Sequence, residues 1–320
     1  MNTLTEIAAV IKSAESAVIF THMRPDGDTL GSGLALSRAL SHLNIKNQVL
    51  NEGTIPDTFT CLSGVKDIRS NADIDAELYI CVDSSDPSRL GALESFYNAG
   101  ARKKITINID HHISNTRYGK YNFVRERSSN CENIAELISL LDVRFDREIA
   151  NLLMGGLITD SGNFSHSDVG GDTFRIAAQL ADAGADVNLL GYELFRKRTK
   201  ARAKLYAEVV SKLRYLHDDR FVIAFVPQEA IARYGLGSDA TDGIVDFGLT
   251  VDTVEVSACL LEVKKEQYKV SLRSKGKVNV NEIARTFGGG GHILASGCML
   301  FGAVEEVIDR LSYAVFQHME

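Results

Sequence analysis

Four apolar runs in this chain end in side chains that seek metals. His22 follows Ala17–Thr21, Asp83 follows Leu78–Val82, Asp110-His111-His112 follows Ile105–Ile109, and Asp160 follows Leu152–Thr159. If the first three runs are parallel strands of one sheet, these side chains converge at its carboxyl edge, where open α/β folds place their ligands. Such a cluster suits hydrolysis by divalent metals. The segment His22-Met-Arg-Pro-Asp26-Gly27-Asp28 adds two carboxylates, because Pro25 and Gly27 allow a tight turn before a helix at Thr29. Asp28 has a second reading as the N-cap of that helix. Asp83, followed by Ser84-Ser85, reads in isolation as a turn residue. Adjacent histidines at a strand end can serve two targets, one a metal and the other a substrate oxygen. Thr159 and Ser161 flank Asp160, and their hydroxyls are candidates for orienting its carboxylate.

Grouping these carboxylates without cations would be self-defeating, since each like-charge pair at ~4 Å costs roughly 4 kcal/mol at an effective dielectric of about 20. The donor set is rich in oxygen, contains imidazole and lacks thiolate. That favours Mn²⁺, with Mg²⁺ or Fe²⁺ behind it, over a structural zinc.

The elements that must position these groups alternate between short apolar runs and longer amphipathic ones. Helical patterns at Leu4–Ala14, Thr29–Leu43, Pro87–Asn98 and Asn133–Leu141 intersperse with the strand candidates and with Lys46–Leu50. This order predicts an α/β fold whose first domain is a parallel sheet with helices on both faces. Helical patterns at Thr173–Ala183 and Val187–Phe195 lead into the basic stretch Arg196–Lys204 and on to Leu205–Leu213. This part reads as a helical connector, either a solvated face or a set of cations that attracts phosphates. Strand candidates Phe221–Val226, Val254–Val263 and Gln267–Arg273, with helices near Asn279–Phe287 and Val304–His318, predict a smaller α/β unit. The expected division is 1–186, a connector over 187–214, and 215–320.

The 320-residue length suits two domains, and the 45% hydrophobic content suits a sizeable core. Residues 1–185 carry 17 basic and 24 acidic side chains, whereas residues 186–320 carry 18 of each, so the net charge of −7 lies in the first part. Long duplex DNA is therefore not the expected partner. The uncharged stretch Ile149–Thr159 is too short to span a bilayer, and Glu6, Lys12 and Glu15 stand where a secretory signal would be apolar. A cytoplasmic protein is expected. Its five cysteines form no CxxC pair and indicate neither a zinc ribbon nor a disulfide framework.

The strongest composition anomaly is Gly288-Gly289-Gly290-Gly291, between Phe287 and His292. Four glycines let backbone N–H groups approach an anion in a nest-like loop; the plainer reading is a flexible linker.

Taken together, H-x-x-x-D-x-D, a later strand-end Asp, Asp-His-His and a further Asp resemble the DHH phosphoesterase family. The glycine-rich segment, His292 and Ala295-Ser296-Gly297 resemble its GGGH-bearing associated domain. The two-domain length resembles the nanoRNase and pAp phosphatase branch, pAp being adenosine 3′,5′-bisphosphate. The resemblance implies that His22 and Asp26 hold one metal, that Asp28, His111 and Asp160 hold another, and that Asp83 bridges both. Two metals together would activate water for in-line displacement at phosphorus. His112 then faces substrate phosphate, and Asp110 orients the histidine pair. Arg273 and Ser274 would meet the nucleotide together with Gly288–Gly291 and His292; a guanidinium can clamp phosphate as lysine cannot. The implied activity cleaves very short oligoribonucleotides to mononucleotides and removes the 3′-phosphate of pAp. A homodimer is also implied. One departure is Ile293, where the family often has a basic residue after the histidine; Arg196–Lys204, Lys275 or Lys277 are candidate substitutes.

Rival readings are a phosphodiesterase for cyclic dinucleotides or their linear products, a RecJ-type exonuclease, a manganese pyrophosphatase, and a non-catalytic nucleotide-binding module. The neutral second part offers little electrostatic track for long strands.

Overall fold

The computed structural model describes residues 2–241 and 243–319; Met1, Asp242 and Glu320 lie outside the described residues. The chain divides into two compact units, residues 1–197 and 198–320.

The first unit is built on a five-stranded parallel sheet. Its strands are β1 (Ser16–Phe20), β2 (Lys46–Leu50), β3 (Leu78–Val82), β4 (Ile105–Asp110) and β5 (Tyr121–Val124), in the order β2-β1-β3-β4-β5. The helices are α1 (Leu4–Lys12), α2 (Gly27–His42), α3 (Leu93–Ala101), α4 (Asn130–Leu140), α5 (Arg147–Asp160), α6 (Gly171–Asp182) and α7 (Val187–Gly191). Side chains alternate across the strands, so Ala17, Ile19, Ile80, Val82, Ile107 and Ile109 join the core under α1, α2, α4 and α5. Val18, Phe20, Tyr79 and Cys81 pack instead against Leu90, Leu93 and Tyr97 around α3. Burial on both faces explains why these strands read as continuous apolar runs. The direction of winding reverses between β1 and β3, which places His22 and Asp83 at the switch point of the sheet.

Helices α2 and α5 pack backbone against backbone. A Cβ on Gly31 would lie 2.5 Å from the Leu152 carbonyl oxygen, and one on Gly156 would lie 3.0 Å from the Gly27 carbonyl oxygen. This close approach carries Asp28, at the start of α2, toward Asp160, at the end of α5. The run Leu152–Thr159 is therefore helical. Because α5 is buried nearly all round, its sequence shows little polar periodicity.

The basic stretch is not one continuous helix. A π-helical turn over Tyr192–Arg196 ends α7, Lys197 is extended, and Thr199 N-caps α8 (Lys200–Val210) by accepting from the Arg202 N–H.

The second unit holds a mixed sheet of β6 (Arg214–Leu216), β7 (Phe221–Val226), β8 (Val256–Lys264), β9 (Gln267–Ser274), β10 (Gly290–Gly291) and β11 (Ala295–Phe301). Their order is β10-β11-β9-β8-β7-β6, with β7 and β8 parallel and the other pairs antiparallel. Helices α9 (Gln228–Arg233) and α10 (Ile244–Gly248) join α8 on one face through Leu205, Ile244, Cys259 and Leu261. Helices α11 (Val280–Thr286) and α12 (Val304–Gln317) cover the other through Leu260, Leu272, Ile283 and Leu311. Among the described residues, no helix is long and apolar enough to cross a membrane.

Candidate metal centre

His22 follows β1, Asp83 follows β3, and Asp110 ends β4 before the two histidines, so all reach the carboxyl edge of the sheet. Asp83 leaves its strand at φ +50°, a left-handed conformation uncommon for aspartate, while its N–H donates to the Ile109 carbonyl at 3.0 Å. The two oxygens of its buried carboxylate face different histidines: Oδ2 lies 3.4 Å from His22 Nε2 and Oδ1 lies 3.3 Å from His111 Nε2. Beyond His22, its Nε2 lies 3.5 Å from Asp26 Oδ2. Around His111, Nε2 lies 3.8 Å from Asp28 Oδ2 and 3.6 Å from Asp160 Oδ2. The structure thus brings together His22, Asp26 and Asp83 on one side and Asp28, His111 and Asp160 on the other.

Asp26, not Asp28, N-caps α2, with Oδ1 accepting from the Thr29 N–H at 3.0 Å. Asp28 is tied to the next layer. Its carboxylate accepts from Ser129 Oγ at 2.6 Å and from the N–H groups of Asn130 and Cys131 at 2.6 and 2.9 Å, at the N-terminus of α4. The free N–H groups and dipole of that helix favour a negative charge there. The hydroxyls beside Asp160 do not orient its carboxylate: Thr159 donates back to Gly155 and Gly156, and Ser161 accepts from the Phe164 N–H.

The residues fit divalent cations on several counts. His22 Nε2 and Asp83 Oδ1 are buried without a hydrogen-bond partner, a costly state for polar atoms. His111 Nδ1 donates to the Arg127 carbonyl at 2.9 Å, which leaves the Nε2 lone pair of the neutral ring directed at three carboxylates. Lone pairs facing carboxylates repel unless a proton or a cation lies among them. The spacings of 3.3–3.8 Å exceed the 2.7–2.9 Å of charge-assisted hydrogen bonds. The thiol nearest this cluster, Cys131, turns to Ser32 Oγ and the Asp28 carbonyl.

Without cations, protons take over the compensation. Burial pushes His22 down, but Asp26 and Asp83 more than reverse this and raise it to about 9. Burial likewise opposes charge on His111, yet Asp83 and Asp28 raise it to about 11. Burial and the charge of Asp83 raise Asp28 to about 6, and burial and Asp28 raise Asp160 to about 9. Asp83 is held far below its ordinary value, since His111 and His22 outweigh its burial.

His112 sits beside this group. Its Nδ1 lies 2.8 Å from Asp110 Oδ1 and 3.6 Å from Asp83 Oδ1. Asp110 is fully buried and also accepts from the His111 N–H at 2.9 Å and from Asn115 Nδ2 at 2.6 Å. Its carboxylate therefore holds both histidines in place. Asn115, Ser129 and Arg127 were not singled out from the sequence; only Ser129, as an N-cap before a helical pattern, carried a local signal.

In the second unit, Gly290 and Gly291 pair with Gly297 and Ser296 rather than forming an open nest. The N–H groups of Gly288, Gly289 and His292 donate to Arg285, Ala284 and Ala295 carbonyls. A Cβ on Gly289 would lie 2.2 Å from the Gly297 carbonyl oxygen, so the glycines permit close backbone approach to β11. His292 is exposed. Arg273, on β9, reaches Asp246 Oδ1 through Nε at 3.3 Å. Ser274 is buried and accepts from the Gly276 N–H, so it braces the turn instead of presenting its hydroxyl. Lys275 and Lys277 are engaged within the unit, the first by the Val251 and Asp252 carbonyls and the second by Glu255. From the basic stretch, Arg198 lies over the Tyr206 ring at 4.9 Å.

Residues 16–157 match the N-terminal domain of the DHH family, and residues 218–319 match the DHHA1 domain. The chain is 30% identical to the bifunctional oligoribonuclease and PAP phosphatase NrnA of Thermus thermophilus, over 98% of this chain and 93% of that protein. It is 29% identical to a probable bifunctional oligoribonuclease and PAP phosphatase NrnA of Streptococcus mutans, over 95% and 96% of the two chains. The crystal structure of an exopolyphosphatase-related protein from Bacteroides fragilis superposes with a TM-score of 0.90 at 25% identity, covering 99% of this chain and 96% of that one.

Proposed function

The chain belongs to the DHH family, and from that premise we propose that it is a metal-dependent phosphoesterase. It hydrolyses short oligoribonucleotides to mononucleotides and removes the 3′-phosphate of pAp. The observation that carries this reading is the Asp83 carboxylate set between two imidazoles, with a buried atom of the carboxylate and one of His22 lacking hydrogen bonds.

His22 and Asp26 would hold one divalent cation, Asp28, His111 and Asp160 a second, and Asp83 would reach both. A cation pair supplies charge stabilisation at phosphorus and lowers the pKa of water. The oxygen-rich donor set supports Mn²⁺, ahead of Mg²⁺ or Fe²⁺. The protein's own groups do the positioning. Arg127 fixes the His111 tautomer through its carbonyl, and Asp110 fixes the His112 ring at the edge of the cluster. In the second unit, Arg273 and the exposed His292 contact the nucleotide beside the Gly288–Gly291 segment, with Ser274 bracing the turn after Arg273.

A cytoplasmic setting suits cysteines that are all free thiols. The enzyme acts as a homodimer, which sedimentation equilibrium tests directly. The function is tested by product analysis across pAp, di- to pentaribonucleotides, cyclic dinucleotides and pyrophosphate, each with Mn²⁺ and with chelator. Cleavage of the di- to pentaribonucleotides, abolished by chelator, is expected. A preference for pyrophosphate or cyclic dinucleotides would replace this reading, and stoichiometric nucleotide binding without turnover at verified metal occupancy would indicate a binding module.

A further inference from the structure

Arg89 stands out among the arginines of residues 1–197. Arg38 and Arg127 are half-buried and paired, the first with Asp146 and Glu148 and the second with Glu132 and Glu136. The remaining arginines of this unit are exposed, apart from Arg89. Arg89 is half-buried, and no carboxylate among the described residues pairs with it. Among the described residues, the side-chain group within hydrogen-bond distance of it is His112, whose Nε2 lies 3.3 Å from Arg89 Nη1.

That contact defines the imidazole. A guanidinium only donates, so His112 Nε2 accepts, and the Nδ1–H donates to Asp110 at 2.8 Å. His112 in this tautomer has no N–H left for a phosphoryl oxygen. The guanidinium has five donors in a planar fork, and one of them engages His112.

The backbone beneath the guanidinium is rigid and tied to the metal centre. Asp86 caps the 3₁₀ turn Pro87–Leu90 by accepting from the Ser88 N–H, and Leu90 is fully buried under β3. The Arg89 N–H donates to the Asp86 carbonyl, and the Arg89 carbonyl accepts from the Met23 N–H at 2.8 Å, one residue after His22. A cation left without an anionic partner, held on such a frame beside an acidic cluster, is suited to clamp an anion that arrives from outside.

We propose that Arg89 is a substrate-binding residue that clamps the non-bridging oxygens of the substrate phosphate from the His112 side. This deepens the phosphoesterase reading and rests on it for the identity of the phosphate.

The test uses the full-length Mn²⁺-loaded protein and the variants Arg89→Met and Arg89→Lys, with metal content and thermal melting checked first. KM and kcat are measured on a 5′-phosphorylated diribonucleotide, and AMP binding is measured by calorimetry. Loss of a hydrogen-bonded charge contact predicts that R89M raises KM and weakens AMP by roughly 10- to 100-fold. R89K should fall between R89M and the parent, and it carries the test if R89M does not fold. Added guanidinium ion, but not urea, should restore R89M. Unchanged AMP affinity in R89M, or a fall in kcat alone without guanidinium rescue, would overturn the assignment and leave Arg89 as a support for His112. If the parent binds AMP but leaves RNA intact while R89M loses AMP, the oligoribonuclease reading fails and the Arg89 clamp stands. A parent protein that binds no nucleotide overturns both.

Discussion

The two units treat their polar groups in opposite ways. At the carboxyl edge of the parallel sheet, His22 Nε2 and Asp83 Oδ1 are buried and unpartnered, and like charges are crowded around them. Around β9 to β11, Arg273 has Asp246, Lys275 has two carbonyls, Lys277 has Glu255, and the N–H groups of Gly288, Gly289 and His292 are bonded inside the unit. The first region is incomplete without cations, whereas the second is complete as folded. Chemistry at phosphorus needs charge that is fixed in a low-dielectric site before substrate arrives. Recognition of a nucleotide can instead use exposed groups that exchange one partner for another at modest cost.

Breaking the first region should have the largest effect. Asp83→Ala should abolish binding of both cations and lower turnover roughly a thousandfold, the scale of ~4 kcal/mol of lost stabilisation; metal analysis of the purified variant and kinetics check both. Retention of two metals in that variant would end the bridging assignment. Next, Asn115→Ala should keep the metals but free the Asp110 carboxylate that holds His112, with a fall of roughly 10- to 100-fold in kcat at nearly constant KM. In the second region, His292→Ala should leave metal content unchanged and raise KM by roughly tenfold. The same comparison predicts that Mn²⁺ raises the melting temperature of the first unit by about 5–10 °C at 100-fold excess over Kd and leaves the second unit's transition in place, as calorimetry with and without chelator would show. The smallest effect belongs to Asp246→Asn. It frees Arg273 from an exposed ion pair worth about 0–1 kcal/mol, so KM should fall by about fivefold at most.

Much of the first unit was legible because its strands are buried on both faces and its helices carry caps. Lys46–Leu50 and Leu78–Val82 coincide with β2 and β3, and the helical pattern from Leu4 coincides with the start of α1, where Thr3 and Glu6 form a capping box in the structure. Strand β5 went unread because each of its four residues is half-buried at the sheet edge and leaves no alternation. Strand β11 went unread because Ala295-Ser296-Gly297 looks like a turn; its pairing with β9 supplies the order that local propensity does not. The glycine run was visible as an anomaly, but its use as a short strand against β11 depended on partners five and seven residues away.

The types and spacing of the metal-seeking residues were set by the sequence alone. Histidine and aspartate at the ends of apolar runs have few other reasons to recur, and parallel strands of similar length bring their ends to one edge. Which atoms face each other was decided only by the tertiary structure. The two oxygens of Asp83 part between His22 and His111 because of a left-handed turn, Asp28 leans on α4 because glycines let α2 and α5 close together, and Arg89 reaches His112 because its backbone is tied to the loop after β1. Each of these depends on segments tens of residues apart meeting within a few ångströms. No local pattern encodes that distance, because burial and backbone hydrogen bonding across the whole sheet determine it.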